Sequence, residues 1–442
     1  MVDGGKDVPH AQTVKKASLM RIAGIYIRSF EPFADQPLEF ALKSTTGLAE
    51  VHFFVGQNGT GKTRLLSLLA AACGNPAELE FRTSSMASNV VISLDAFGDS
   101  EKFQYFKAGS GIRNETGPLS ILLGKIASDK AANQGVANLF DNRSMVAMAF
   151  RSVPSLEDKA VTPMGEVKWP DKRDFLRFNH HMAESGILCQ ALANLKVRVG
   201  IASSDPKDRT VRMAQSLDKA IRSITDQEFI LTVGYVNKDL KLKVSWAGKE
   251  MQLKQLPDGL RSICGWLASC VAKLDMLHPD IENPLEQPLI LLLDEPDAHL
   301  HPAWQRKLIP AVQRLLPNAQ IFVATHSPFV ISSVNEGSIY IFNADDKGKV
   351  TIKPPQPCSK GDSYIDVVED VLGIKEQFDP ETEKLLSDFR AKRDVLKKEK
   401  LPGGIDELKQ LAAAIASRSD TLQFMMGREL AQLDAQLSSR VN

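Results

Sequence analysis

The chain has 442 residues, 43% of them apolar and 24% charged, with 54 basic residues balanced by 54 acidic ones. This is the composition of a soluble globular protein, and the length predicts either one large α/β domain with an insertion or two domains. Zero net charge excludes a globally basic binder of nucleic acid or anionic membrane, so any such binding needs a local patch. The five cysteines (Cys73, Cys189, Cys264, Cys270 and Cys358) are scattered without a CxxC pair. That spread argues against structural zinc and a disulfide framework and for a reducing, cytoplasmic setting. The opening "MVDGGKDVPHAQTVKK" lacks the apolar core of a signal peptide, and no apolar run is long enough for a membrane span.

Residues 1–18 read as a flexible tail. "MRIAGIYIRSF" alternates as a strand does, and "EPFADQPLEFAL" reads as a turn and a second strand. "VHFFV" is a short buried strand running into a glycine-rich loop. "RLLSLLAAACG" then has helical spacing and stops at a glycine. "NVVISLDAF" is another strand. From 109 to 225 the pattern predicts a mainly helical insertion, with helices over "PLSILLGKIASDKAANQGVANLF" and "HHMAESGILCQALANLKV". "EFILTVGYV" and "LKLKVSWAGKEMQL" form a strand pair, followed by a helix from about Gly259. The buried strand "PLILLLDE", a helix, the strand "QIFVATHS" and a last strand pair near Ile339–Ile352 complete the region. Beyond the linker-like "KPPQPCSKGDS" the chain is helical. There Met426, Leu430, Leu433 and Leu437 form one apolar stripe, to be buried in the protein's own core or against a partner subunit.

Three stretches carry chemistry. "GQNGTGKT" fits the pattern G-x-x-x-x-G-K-[ST], in the required context of a strand before and a helix after. Backbone N–H groups of Gly56, Asn58, Gly59, Thr60 and Gly61 would wrap phosphates, Lys62 would reach the β- and γ-phosphates, and Thr63 would coordinate Mg²⁺. "LILLLDE" carries Asp294 and Glu295 to the C-terminal edge of a buried strand, where open α/β sheets bind ligands. Asp294 would hold the metal through water, and Glu295 would orient or deprotonate an attacking water. "VATHS" puts His326 at the end of a later strand, within reach of a γ-phosphate.

The set "GQNGTGKT", "LPDGLRS", "LLLDEPDAHLHP" and "ATHSP", in that order, resembles the ABC-type ATPase superfamily, and within it the soluble branch of SMC, RecF and OLD ATPases. The resemblance covers about residues 20–108 and 226–355. It implies an α/β P-loop NTPase of ABC/SMC-head type, with head halves at 19–108 and 226–355, the helical insertion at 109–225 and a helical C-terminal region at 356–442 for oligomer or partner contacts. It implies ATP and Mg²⁺ as cofactors. It further implies that "LPDGLRS", with Asp258, Gly259 and Ser262, is a signature motif meeting the nucleotide of a second subunit, in a homodimer or higher homo-oligomer. Pro257 stands where that motif usually has serine, which removes a hydroxyl and an N–H. No Q-loop glutamine is evident. "SLDAFGD" falls where its strand end is expected, which puts Asp95 forward as a substitute near the metal. Arg28 and Phe30 end the first strand, either close to the α-phosphate and base or as ordinary strand-end residues. His299 and His301 shape the loop after Glu295, and His180 and His181 read as solvated helix residues.

The insertion is too short for the long coiled coil of SMC-type proteins, and no acidic strand motif of a Toprim nuclease follows His326. A head with a compact helical insertion and a short helical tail is similar to the ATPases of bacterial anti-phage defence systems, Septu (PtuA-like) in particular. That resemblance implies an ATP-binding, ATP-hydrolysing sensor or regulator of a separate nuclease subunit of HNH type. It implies no nuclease site in this chain and no membrane partner, with nucleic acid met through the partner or a local basic patch. The alternatives are a RecF-like DNA-repair ATPase head and the ATPase subunit of a transporter; the paired histidines of "DEPDAHLHP" argue against the latter.

Overall fold

A computed structural model describes residues 21–28, 30–40, 47–73, 87–96, 99–108, 146–152, 156–169, 175–178, 184–202, 205–358, 363–374, 376–399 and 404–438. The expected helix at 118–140, the 1–18 tail, His180 and His181 lie outside the described residues. The chain forms two compact units, Met1–Val367 and Val368–Asn442.

Three sheets build the first unit. An antiparallel sheet has the order β2-β1-β4-β5, from β1 (Arg21–Arg28), β2 (Gln36–Glu39), β4 (Ala87–Ala96) and β5 (Asp99–Ala108). The central sheet is built on β3 (Glu50–Gly56), β6 (Val146–Arg151), β10 (Leu289–Asp294), β11 (Ala319–Ala324), β12 (Ser338–Ala344) and β13 (Val350–Ile352), in the order β13-β12-β3-β11-β10-β6. From β12 to β6 every neighbour is parallel. Its strands accordingly read as continuous apolar runs, because both faces are covered. β7 (Phe229–Val236), β8 (Asp239–Trp246) and β9 (Lys249–Gln252) form an antiparallel meander turning at Asn237 and Lys238.

Helix α1 (Lys62–Ala72) and the β1 sheet share a core with one face of the central sheet. Ile25, Phe40, Leu65, Leu69, Ile290, Leu292 and Phe322 meet there. Among the described residues the longer helices of the unit are α2 (Ser185–Ile201), α3 (Arg209–Thr225), α4 (Asp258–Leu277) and α5 (Pro302–Leu315). α4 is apolar nearly all round, as a helix buried on every side must be, and its Trp266 meets Phe150 of β6 at 6.1 Å between ring centroids. At the far edge His52 is wholly buried between Phe322 and Phe40, and burial pushes its pKa down to about 3, so it is a neutral core histidine.

β6 adds a feature to the region 109–225, expected to be mainly helical: residues 146–151 supply a parallel strand of the central sheet beside β10. The short run "VAMAFR" has no periodicity that distinguishes a buried strand from a helix turn. No described helix is long and apolar enough to cross a membrane.

The second unit contains α6 (Pro380–Glu399), α7 (Ile405–Ala416) and α8 (Asp420–Ser438). Met426 and Leu433 are buried with Leu386, Phe389, Leu408, Ile415 and Leu422, and Leu430 packs against them. Met426, Leu430 and Leu433 of the apolar stripe thus serve the unit's own core, and the side chain of Leu437 lies outside the described residues.

Candidate nucleotide site

The loop after β3 closes into a cradle because two glycines permit it. Gly59 and Gly61 take φ of +83° and +88°, in the left-handed region that side chains avoid. A Cβ on Gly61 would sit 2.8 Å from the Phe33 ring. Thr60 is buried and staples the turn, its hydroxyl donating to the Gln57 carbonyl at 2.8 Å, while Asn58 and Gly59 stay exposed at the tip. Lys62 is nearly buried. Its ammonium donates to the carbonyls of Gly56 at 2.9 Å and Gln57 at 3.0 Å, across the mouth of the loop. Burial lowers its pKa to about 8, opposed by the charges of Glu295 and Asp294.

Strand register brings the acidic groups to this loop. β11 lies between β3 and β10, so Asp294 is level with Ala324, and Ala324 with Phe54. The Thr63 hydroxyl donates to Asp294 Oδ1 at 2.8 Å. A hydroxyl and a carboxylate held together are oxygen ligands of the kind that suit Mg²⁺. On its other side Asp294 is level with Arg151 of β6. Arg151 Nε donates to Asp294 Oδ2 at 2.8 Å, and Nη2 makes a second, shorter contact with the same oxygen. Sequence reasoning missed Arg151 and put Asp95 near the metal. Asp95 instead belongs to β4 in the antiparallel sheet, level with Arg21. The strand beside β10 is β6, and Arg151 ends it.

Glu295 is exposed, directly after the buried Asp294, with φ of +51°. Such a conformation costs a non-glycine residue on the order of 1–3 kcal/mol and persists where the surroundings impose it. Here Glu295 N donates to the Ala324 carbonyl at 2.8 Å. His326, half-buried, has its pKa lowered by burial and then by the charge of Lys62, so the imidazole is neutral near pH 7.

The loop after Glu295 is tied to the His326 strand. Thr325 Oγ1 donates to Asp297 Oδ1 at 2.7 Å and accepts from Ser327 N at 2.9 Å. Gln305 accepts from the Ser327 hydroxyl at 2.7 Å and donates to the carbonyls of Asp297 and Leu300. His301 caps α5, its Nδ1 accepting from Ala303 N at 3.2 Å, and His299 adopts φ of +66°. Burial raises the Asp297 pKa to about 6, against the Thr325 hydrogen bond. The folded chain therefore binds this proton more tightly than the unfolded chain. Stability falls as pH rises from about 4 through 6 and then levels off, by roughly 3 kcal/mol in all. Asp297→Asn should remove that slope, gaining on the wild type as pH rises. Urea unfolding of both proteins at pH 4.5 and 7.5 tests it, and a constant difference at the two values refutes it.

The signature-like segment divides. Pro257 and Asp258 are exposed at the start of α4, Asp258 pairing with Arg261 at 2.8 Å. Gly259 is buried, and a Cβ there would lie 2.6 Å from the His299 carbonyl oxygen. Ser262, grouped with the nucleotide-binding residues on sequence, faces the interior. Its hydroxyl meets Ser152 Oγ at 2.9 Å, which also reaches the Ala298 carbonyl. Asp258 and Ser262 lie on about the same helix face, but Asp258 is at the exposed first turn, whereas Ser262 sits one turn further in, where nearly every residue of α4 is buried. Phe30, for which a place near the base and an ordinary structural role were both open, is buried and stacked on Phe33 at 5.9 Å between centroids. Arg28 ends β1, and its side chain lies outside the described residues.

Residues 168–332 match a family model described as "AAA domain, putative AbiEii toxin, Type IV TA system". The chain is similar to the retron Ec83 probable ATPase of Escherichia coli, 31% identical over 136 residues, which are 30% of this chain and 25% of that one. It is 30% identical over 115 residues to the Septu protein PtuA of Bacillus thuringiensis, covering 25% of this chain and 29% of that one. The matched stretches thus span about a quarter of these relatives' length. The SMC head domain from Thermotoga maritima aligns over 76% of this chain and 98% of its own, at 14% identity and a TM-score of 0.39.

Proposed function

We propose that this chain is the ATP-binding and ATP-hydrolysing subunit of a bacterial anti-phage defence complex, acting as a sensor or regulator of a separate nuclease of HNH type. The observation that carries the ATPase reading is the convergence of Lys62, Thr63, Asp294, Glu295 and His326 on one edge of a parallel sheet. The likeness to retron and Septu ATPases supports the defence setting. Thr63 and Asp294 would hold Mg²⁺, whose chemistry there is to neutralise phosphate charge. Backbone groups of the glycine loop and Lys62 bind the β- and γ-phosphates. Phosphoryl transfer needs positioning and charge neutralisation more than covalent chemistry. Glu295, exposed beside the buried Asp294, orients the attacking water and takes its proton. Neutral His326 hydrogen-bonds the γ-phosphate. The exposed Pro257–Asp258 end of α4 meets a second copy, so the working unit is a dimer of heads.

Glu295→Gln is expected to bind ATP as the wild type does and to hydrolyse it at least about tenfold more slowly, equivalent to about 1.4 kcal/mol of barrier. Single-turnover hydrolysis and nucleotide binding are measured side by side. Unchanged turnover removes Glu295 from this role. A wild-type chain that binds no ATP ends the ATPase reading, and one that turns over ATP but never co-purifies with the product of a neighbouring nuclease gene ends the regulatory one.

A further inference from the structure

The carboxylate of Asp294 is engaged on both sides by side chains of the chain itself. Thr63 donates to Oδ1 at 2.8 Å, and Arg151 donates to Oδ2 through Nε at 2.8 Å and through Nη2. Asp294 is 1% exposed, so solvent does not compete for it, whereas the Arg151 side chain is 30% exposed and has a path outward. The backbone beneath Arg151 is fixed. Its register against Asp294 is set by the β6–β10 ladder, and the next residue, Ser152, is anchored to Ser262 and the Ala298 carbonyl. Any rearrangement is therefore confined to the guanidinium. A divalent cation approaching Thr63 and Asp294 meets a like charge already paired with its ligand, and like charges at this range in a partly dry site oppose each other strongly.

We propose that Arg151 is a positioning residue that competes with a metal–nucleotide complex for the carboxylate of Asp294 and is displaced from it when that complex enters. The cation takes the carboxylate, and the freed guanidinium turns outward along its exposed side. Metal entry and displacement of the Arg151 guanidinium thereby become one event. This rests on the ATPase reading, because it assumes that Thr63 and Asp294 receive the metal.

The test is titration of the full chain with Mn²⁺ in the presence of ADP, followed by electron paramagnetic resonance. Binding of a fluorescent ADP analogue in EDTA is measured in parallel. R151Q, which keeps hydrogen-bonding capacity without charge, should hold Mn²⁺ about tenfold or more tighter than the wild type. R151K keeps the charge but loses the planar fork of the guanidinium and should fall between them. ADP binding in EDTA should stay within about twofold across all three, since Arg151 is paired with Asp294 in that state. Equal or weaker Mn²⁺ binding in R151Q overturns the proposal, as would a merely structural ion pair. Should R151Q fail to fold, R151K with wild-type Mn²⁺ affinity overturns it equally. A wild-type chain that binds no ADP in either condition overturns the ATPase reading and this inference together. Bound ADP with equal Mn²⁺ affinities overturns this inference alone.

Discussion

Lys62→Ala is expected to abolish stable nucleotide binding, with at least a hundredfold loss of affinity. Two losses add. A charge-assisted hydrogen bond to a phosphate is worth roughly 1.5–3 kcal/mol, and each 1.4 kcal/mol is about tenfold in affinity. The same ammonium also bridges the carbonyls of Gly56 and Gln57, so the truncation leaves two loop acceptors unpaired. With its pKa lowered to about 8, Lys62 is mostly charged at pH 7 and loses its charge above pH 8. Wild-type affinity should therefore be level up to about pH 8 and then decline as the ammonium deprotonates. Isothermal titration with ATP at pH 7 and pH 9 measures both effects. Wild-type affinity in Lys62→Ala would remove the phosphate-binding role from the loop.

The parts of this site that could be read in the sequence are those whose chemistry is local. "GQNGTGKT" contains its own turn, its glycines and its lysine, and the strand before it and helix after it follow within a few residues. "LILLLDE" and "VATHS" each end a buried strand, and a strand end in a parallel sheet is a site by construction. Arg151 gave no such signal. Its partner is 143 residues away, no glycine or spacing marks it, and the strand it ends is only six residues long. The environment of Ser262 was illegible for the opposite reason. The motif around it is local, but which helical face meets the nucleotide depends on how α4 lies against the loop 298–300, and only tertiary packing sets that. The same holds for Gln305, an ordinary glutamine until its amide is seen to clasp Asp297, Leu300 and Ser327.

Lys273→Met should destabilise the first unit by about 3–5 kcal/mol, enough to unfold many single domains. Lys273, on α4, pairs with Glu184 at 2.9 Å, and both side chains are only 2% exposed. Its ammonium also lies 4.4 Å from the Phe175 ring centroid, 5.5 Å from that of Phe150 and 5.6 Å from that of Trp169. Three ring faces and a carboxylate compensate its lost hydration. Methionine fills the apolar part of that space but strands the Glu184 charge in it, and an uncompensated buried charge is what costs most. Removing both charges should therefore hurt less than removing one. Lys273→Met with Glu184→Gln is expected to recover most of the loss, and a double-mutant cycle by urea unfolding measures the coupling. Additive single effects, or a Lys273→Met variant as stable as the wild type, would refute the prediction. The pair also bears on the nucleotide site. Phe150 immediately precedes Arg151, and α4 begins at the Asp258 end of the signature-like segment, so the Lys273 cluster joins the tip of β6 to that helix. The singly substituted protein should consequently lose nucleotide affinity before it loses its fold, and the doubly substituted one should regain both.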